Sequence, residues 1–329
     1  MKQILTKLFE SQKLSRTESQ NLMHGIANGS VNESQMAAVL TAYIMRSISL
    51  EELQGFRDAL LDLSVKVDIY DGHTIDLCGT GGDGKNTFNI STASVFVVAG
   101  AGIPVVKHGN YGATSVSGSS NVIEYFGYKF SSDSGKLKRE IDNTNVCFLH
   151  APLFHPALKA VGPIRRQLGV KTFFNMLGPL LNPSRPKYQV SGVFSIEVAR
   201  IYSYLLSNYL NDYRIIHSLD GYDEISLTSS TKIFSKSSED CLTPESLGFC
   251  KISPENIAGG ETVEESAKIF LSVLSNSADK SKIDVVIANS AMAISCYKGF
   301  PFAESTLYAK ESLESGKALE CFKKLISIQ

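Results

Sequence analysis

Hydrophobic residues at the start of the chain recur every three or four positions, which is the spacing of amphipathic helices. Ser15 and Ser49 each precede a glutamate by three positions, the pattern of a capping box at a helix start. Asn32 is a further helix-capping residue. The pattern therefore predicts a small all-helical domain over residues 1–66, and we expect part of the proline- and glycine-rich segment 152–185 to join it.

Beyond residue 71 the pattern changes, because short apolar runs typical of strands alternate with helical patterns. The predicted strands are residues 73–78, 103–107, 145–149, 188–193 and 214–219. Such alternation is typical of an α/β fold with a mostly parallel central sheet covered by helices on both faces. We therefore assign residues 71–329 to a larger α/β domain.

The composition narrows the possible classes of protein. At 329 residues the chain exceeds the usual size of one domain, and its 43% hydrophobic residues are ample for a packed core. A formal net charge of −1 gives no basic field for nucleic acid. The six cysteines include no C-x-x-C pair, which disfavours a zinc site or a disulfide framework. Since no apolar run reaches membrane-spanning length, we expect a soluble cytoplasmic protein.

Two loops rich in glycine and hydroxyl residues follow the first two strands of this predicted sheet. They occupy residues 79–92 and 107–120, and each leads into a helical pattern. Backbone N–H groups at helix N-termini bind anions, and glycine lets a ligand approach the backbone closely. The sequence therefore predicts a ligand with two phosphate groups.

Two common nucleotide-binding motifs fit the first loop poorly. The glycine spacing over residues 79–84 matches a dinucleotide fingerprint, but that motif needs an acidic residue at the end of the next strand, where this chain has Lys107. The same segment approaches a Walker A loop, but Asn86 replaces the magnesium-binding hydroxyl and Asp83 would place a carboxylate in the phosphate cradle.

A third pattern fits, because several segments together resemble the anthranilate phosphoribosyltransferase family. These segments are residues 79–83, 89–92, 107–110 and 117–119, followed by 151–152, 155–156, 163–165, 178–183 and 220–226. The resemblance spans about residues 76–226, with family-like helices before it. It implies a nucleoside phosphorylase/phosphoribosyltransferase-like fold, a homodimer associating through the helical domain, and a role in tryptophan biosynthesis.

The reaction implied by the resemblance is attack of the anthranilate amine on C1 of phosphoribosyl pyrophosphate, with release of pyrophosphate. Charge builds on the leaving group, so stabilisation of pyrophosphate and alignment of the two substrates should dominate catalysis. The residues expected to bind phosphoribosyl pyrophosphate are Gly79, Gly82, Asp83, Thr87, Asn89, Ile90, Ser91, Thr92, Lys107, His108, Gly109, Asn110, Ser115 and Ser119.

For the acceptor, the resemblance implies that Arg165 binds the anthranilate carboxylate, since guanidinium pairs with carboxylate through two parallel hydrogen bonds. Without the resemblance, a solvated helix residue is the favoured interpretation of Arg165. Gly79 and Asn110 are expected to contact anthranilate as well. His155, like His108, fits either substrate orientation or a structural role, and no residue stands out as a general base.

The resemblance also implies two magnesium ions, one held by Ser91 and Glu224 and the other by Asp223 and Glu224. Adjacent carboxylates beside phosphate require a cation between them, and magnesium commonly bridges carboxylates to substrate phosphates. Taken alone, an Asp-Glu pair in a loop is more often solvated surface.

One departure from the family and two rival functions are visible. Tyr111 and Gly112 stand where the family often carries an arginine followed by serine or alanine, which should weaken phosphate affinity or shift it onto Lys107. One rival is a pyrimidine nucleoside phosphorylase, whose chains are considerably longer. The other is a non-catalytic nucleic-acid-binding relative, which should show a basic face and an eroded acceptor site.

Overall fold

The computed structural model describes residues 1–69, 73–112 and 116–329. Ser115, assigned above to the phosphoribosyl pyrophosphate site, lies outside the described residues. The chain divides into two compact units. Unit 1 comprises Met1–Lys66 and Ala151–Pro183, and unit 2 comprises Val67–His150 and Ser184–Gln329.

Helices occur in both units, and they alternate with strands in unit 2. They are α1 (Lys2–Phe9), α2 (Arg16–Ala27), α3 (Glu33–Met45), α4 (Leu50–Asp62), α5 (Ile90–Gly100), α6 (Ser119–Tyr125), α7 (Ser134–Thr144), α8 (Ala151–Phe154), α9 (Leu158–Leu168), α10 (Ile196–Leu206), α11 (Val263–Leu274), α12 (Lys280–Lys298), α13 (Phe302–Glu314) and α14 (Lys317–Ser327). Short 3-10 helices occupy Phe173–Met176, Gly178–Leu180 and Pro254–Ile257. None of the described helices is long and apolar enough to span a membrane.

Unit 1 is entirely helical among its described residues. Ser15, Asn32 and Ser49 are the N-caps of α2, α3 and α4, each with both bonds of a capping box, so the sequence located these helix starts correctly. The core contains an aromatic cluster in which the Phe56 and Phe173 rings stack with centroids 4.6 Å apart. This contact packs the 3-10 segment Phe173–Met176 against α4. It explains why the segment Ala151–Pro183 belongs to the helical unit together with Met1–Lys66.

Unit 2 is built on a seven-stranded sheet of order β3-β2-β1-β4-β5-β6-β7. The strands are β1 (Ile75–Gly79), β2 (Val105–Gly109), β3 (Val146–His150), β4 (Tyr188–Gly192), β5 (Asp212–Ser218), β6 (Thr231–Phe234) and β7 (Glu239–Leu242). Strands β1 to β5 are parallel, which confirms the predicted mostly parallel sheet. The antiparallel β6 and β7 were not predicted, because β6 has only four residues and β7 is short, polar and mostly exposed.

Two helices buried on nearly all sides pack close to this sheet. Helix α5 is apolar along most of its length, and residues 92–99 are all buried. Helix α12 is 19 residues long and buries a continuous run from Val285 to Ile294. Both belong to the main hydrophobic core of the unit, so the residues at their ends and along their faces are held rigidly.

The strand order also locates a crevice. From β1 the chain moves to β2 on one side, whereas β4, the other neighbour of β1, leads to β5 on the opposite side. In open α/β sheets, ligands bind outside the carboxyl ends of the strands at such a switch point. The polar loops that follow β1, β2 and β5 all leave the sheet at this edge.

Candidate active site

The switch point holds the turn that carries Asp223 and Glu224. Strands β1 and β4 end in paired glycines, Gly79 and Gly192. A Cβ atom on Gly192 would overlap the backbone carbonyl oxygen of Asp223, and one on Gly79 would lie 2.6 Å from the Asp223 carboxylate. The two glycines therefore make room for the acidic turn to lie directly on the strand ends.

The surroundings of Asp223 disfavour its charge on balance. One carboxylate oxygen accepts a hydrogen bond from the Gly81 backbone N–H at 3.0 Å. Burial raises the pKa of Asp223 to about 7, and the charge of the neighbouring Asp83 carboxylate contributes to this shift. A cation bound beside Asp223 would stabilise the charged form of this carboxyl group.

The Glu224 carboxylate lies at the N-terminus of α5. Its Oε1 accepts from the Ser91 backbone N–H at 3.1 Å, while Oε2 is buried and has no hydrogen-bond partner among the described residues. Burial first, and then the charge of Asp223, raise the pKa of Glu224 well above its usual value. An unpartnered buried carboxylate oxygen beside a second carboxylate is the arrangement that a divalent cation would satisfy.

These carboxylates do not complete a metal site on their own. Among the described residues, no group of three or more His, Cys, Asp or Glu side chains is arranged to hold a metal ion. Magnesium usually keeps several waters and is held by one or two carboxylates together with substrate phosphates. The donor set at Asp223 and Glu224 therefore fits an ion that arrives with a phosphorylated substrate.

Lys107 brings a buried cation close to this turn. Its side chain is 3% exposed, and its ammonium donates to the Leu77 carbonyl oxygen and to Ser91 Oγ, the latter at 3.4 Å. Burial lowers the pKa of Lys107, whereas the charge of Asp76 opposes that shift. Lys107 is thus held beneath the start of α5, where it offsets the negative charge of the acidic turn.

Hydrogen bonds join the two glycine-rich loops to each other. The Asn89 side-chain amide donates to the Ser117 carbonyl at 3.0 Å. Within the second loop, Asn121 Oδ1 accepts from the backbone N–H groups of both Gly112 and Gly118 at 3.0 Å. The Asn121 side chain therefore closes the base of the second loop. The sequence does not predict this role, because an asparagine in a helix gives no signal of it.

Tyr111, the residue that departs from the family pattern, is partly exposed but has defined contacts. Its hydroxyl donates to Glu124 at 3.1 Å, and its ring packs edge-on against His150 with centroids 4.7 Å apart. These contacts tie the start of the second loop to α6 and to the end of β3. Sequence reasoning had considered Tyr111 only as a missing cation.

The remaining residues predicted to bind phosphoribosyl pyrophosphate also lie in unit 2, at or just beneath these loops. Thr87 forms an isolated bridge with Ala258, and Gly82 has a positive φ of 73°. The side chains of Ile90 and Thr92 are almost fully buried in α5. His108 is buried, Asn110 is exposed, and Gly109 approaches Ser119 too closely to carry a Cβ.

Arg165 and His155 lie in unit 1 and differ in burial and in their hydrogen-bond partners. Arg165 is half-buried in α9, its guanidinium donates to Asn175 Oδ1 at 3.2 Å, and none of the described carboxylates pairs with it. Burial lowers the pKa of Arg165. His155 is buried, and its Nε2 contacts the Leu181 carbonyl oxygen at 2.7 Å. Arg165 thus retains bonding capacity for an anion, whereas the contact of His155 fits a structural role.

Two sequence profiles of the glycosyl transferase family match this chain. The profile of the family's a/b domain matches residues 71–319, and that of its helical bundle domain matches residues 2–64. Together they cover most of the described structure and both of its units.

Curated relatives share about half of their residues with this chain. The anthranilate phosphoribosyltransferase of Christiangramia forsetii is 55% identical over 99% of this chain and 98% of its own length. That of Bacteroides thetaiotaomicron is 53% identical over 100% of this chain and 99% of its own length.

Solved structures are similar over nearly the whole fold. The anthranilate phosphoribosyltransferase of Thermus thermophilus gives a TM-score of 0.92 at 28% identity, covering 98% of each chain. That of Saccharomyces cerevisiae, in complex with phosphoribosyl pyrophosphate and magnesium, gives 0.91 at 29% identity, covering 98% of this chain and 96% of the other.

Proposed function

Since this chain belongs to the glycosyl transferase family, with anthranilate phosphoribosyltransferases as its relatives, we propose that it transfers the phosphoribosyl group of phosphoribosyl pyrophosphate to the amine of anthranilate and releases pyrophosphate. This is a pentosyltransferase reaction of tryptophan biosynthesis. The observation that carries the proposal is the acidic turn at the switch point, where Asp223 and the unpartnered oxygen of Glu224 face a helix N-terminus and a buried lysine.

The chain's own residues would bind phosphoribosyl pyrophosphate from two sides. In the first loop, the backbone around Gly79 and Gly82 and the start of α5 at Asn89 and Ser91 present polar groups to pyrophosphate. In the second loop, Asn110 and Ser119 supply amide and hydroxyl groups, and we extend the same role to Ser115. The full set proposed above for phosphoribosyl pyrophosphate is retained, with Lys107 acting as a fixed positive charge.

We propose two magnesium ions at this site, with Ser91 and Glu224 holding one and Asp223 and Glu224 the other. Magnesium bound with the substrate would neutralise the charge that develops on pyrophosphate. Asp223 must lose its proton to act as a ligand, so the raised pKa of Asp223 predicts that metal binding releases protons.

For the acceptor, we propose that Arg165 binds the anthranilate carboxylate, with Asn110 and Gly79 as further contacts. The support is a half-buried guanidinium that lacks a carboxylate partner among the described residues. The aromatic amine is a nucleophile in its neutral form, and we assign no general base.

The direct test follows the loss of anthranilate fluorescence with phosphoribosyl pyrophosphate and magnesium. We expect turnover that requires all three components. Absence of turnover would contradict the proposed function. Phosphorolysis of thymidine would instead support the pyrimidine nucleoside phosphorylase, and a mobility shift with nucleic acid would support the binding relative. The names of the relatives favour neither of these rivals.

The role of Arg165 has its own test. We expect Arg165→Ala to raise the KM for anthranilate by about 10- to 100-fold, because a charged hydrogen-bonded pair contributes about 1.5–3 kcal/mol. The KM for phosphoribosyl pyrophosphate should change little. Arg166→Ala, the exposed neighbour on the same helix, is the matched control. Equal effects on both substrates would refute the assignment.

The assembly and location of the protein complete the proposal. We propose a homodimer that associates through the helical unit, in the cytoplasm, with no nucleic-acid partner. The support is the family resemblance, the near-zero net charge and six cysteines that are all free thiols. Sedimentation of the purified protein would test the dimer.

A further inference from the structure

Asn289 lies in the buried part of α12 and is bonded to the residue that follows the acidic turn. Its Oδ1 accepts from the Ile225 backbone N–H at 3.1 Å, and its Nδ2 donates to the Ile225 carbonyl at 2.9 Å. The same Nδ2 donates to the Val285 carbonyl at 2.8 Å. Asn289 is 6% exposed and Ile225 is fully buried, so water does not compete with these bonds.

This pairing replaces a strand partner. A primary amide carries an acceptor and two donors in one plane, so it can satisfy both backbone groups of a single residue, as a neighbouring strand would. Asparagine is a poor helix former, and burying an unpaired amide is costly. The bonds to Ile225 therefore explain why a polar residue occupies this place among the apolar residues of α12.

The backbone of the acidic turn is also fixed on the side of β5. Ser218 Oγ donates to the Glu224 carbonyl oxygen at 2.6 Å and accepts from the Ser226 N–H at 3.4 Å. With Asn289 holding Ile225, the backbone of residues 224–226 is anchored to β5 through Ser218 and to α12 through Asn289. Glu224 is the first of the three, so its side chain starts from a fixed peptide plane.

We infer that Asn289 is a positioning residue for the metal-binding pair, an inference that rests on the proposed function. By holding Ile225 from α12, Asn289 sets the direction in which Glu224 leaves the backbone, and through it the affinity of the site for a divalent cation with pyrophosphate. Asn289 is bonded to Ile225 and Val285, so we assign it an action through the backbone and not by contact with substrate or metal. Groups that orient ligating side chains typically contribute 10- to 100-fold to metal affinity.

The test compares wild type with Asn289→Asp, which keeps the acceptor for the Ile225 N–H but loses both donors. Mn2+ binding is measured by electron paramagnetic resonance in the presence of inorganic pyrophosphate. We expect Asn289→Asp to weaken Mn2+ binding by about 10- to 100-fold. The KM for anthranilate should stay within about twofold, and hydrogen exchange at the Ile225 amide should accelerate.

Ser290→Ala is the matched control, because Ser290 is also buried at the next position of α12 and its hydroxyl has no partner among the described residues. Mn2+ affinity should be unchanged in this variant, whatever its melting temperature. If Asn289→Asp does not fold, Asn289→Ser, whose hydroxyl can bond the Val285 carbonyl within the helix, takes its place with the same expected result.

Wild-type Mn2+ affinity in a folded Asn289 variant would overturn the inference and leave the proposed function intact. An equal loss of affinity in Ser290→Ala would also overturn it, since the effect would then belong to packing of α12. Failure of wild type to bind Mn2+ with pyrophosphate would instead count against the proposed function itself.

Discussion

In the first loop (residues 79–92), Gly79 and Gly81 lie against the Asp223 carboxylate, whereas the described part of the second loop (residues 107–120 without 113–115) is bonded beyond β2 mainly within itself and to α6. Gly81 in the first loop donates its N–H to Asp223, and Gly79 leaves space for the same carboxylate. In the second loop, Gly112 and Gly118 donate to Asn121. In the sequence both loops are predicted to bind phosphate, but among the described residues of the two loops it is Gly79 and Gly81 of the first that lie against Asp223.

The difference teaches that similar glycine-rich segments can hold the two ends of one ligand by different means. A site lined by Asp223 and Glu224 can bind a phosphate group only through a cation. The second loop has no buried carboxylate among its described residues, so it can bind an anion directly through N–H and hydroxyl groups. We therefore expect the first loop to govern metal dependence and the second to govern substrate affinity.

The largest effect is expected when both charges of the acidic turn are removed. The double variant Asp223→Asn with Glu224→Gln should lower kcat by about 10³-fold or more, because charge on the leaving group would no longer be neutralised. Turnover at saturating magnesium measures the loss. Glu239→Gln, which changes an exposed carboxylate on β7, should be unaffected. A double variant of normal rate would rule out the metal assignment.

The next largest effect tests Gly192, the glycine that makes room for the acidic turn at the strand ends. Gly192→Ala places a methyl group on the Asp223 carbonyl oxygen, so the turn must move. A displacement of about 1 Å can cost roughly 10²-fold in rate, and we expect a loss of that order with a lower Tm. Gly135→Ala in α7, where a Cβ would lie 3.3 Å from the Asp133 carboxylate and only this side chain has to shift slightly, is the control. Full activity in Gly192→Ala would show that the turn tolerates displacement.

A smaller effect is expected in the second loop. Asn121→Ala removes the acceptor for Gly112 and Gly118 and should raise the KM for phosphoribosyl pyrophosphate by about tenfold, the equivalent of two ordinary hydrogen bonds. Magnesium activation should be unaltered. Asn143→Ala, which loses only a bond to the Arg139 carbonyl in α7, serves as control. A change in magnesium activation with unchanged KM would reverse the roles given to the two loops.

The smallest effect concerns pH. The folded-state pKa of Asp223, about 7, exceeds its ordinary value of 3.8, so the folded protein holds this proton more tightly than the unfolded chain. The contribution of Asp223 to stability is therefore present below pH 3.8 and is lost as pH rises to about 7. The Tm of wild type relative to Asp223→Asn should fall over this window. A constant difference would contradict the raised pKa.

Much of the fold could be predicted because its signals are local. The capping residues Ser15, Asn32 and Ser49 located the starts of α2, α3 and α4, and apolar runs located the five parallel strands. The hairpin of β6 and β7 escaped detection, because β6 has only four residues and the exposed polar edge strand β7 carries no period of hydrophobic residues. The candidate site was found largely through family resemblance, since an Asp-Glu pair by itself does not indicate a buried site.

The sequence by itself determined the starts of α2, α3 and α4, the five parallel strands, the glycine-rich loops, the acidic pair and, through resemblance, the reaction. Only the tertiary structure decided that Gly192 makes room for Asp223, that Ser91 donates to Glu224, and that Asn289 is hydrogen-bonded to Ile225. These partners are separated by 31, 133 and 64 residues along the chain. Spacing and periodicity report neighbours within a few turns of one element, whereas pairings over such distances depend on strand order and helix packing.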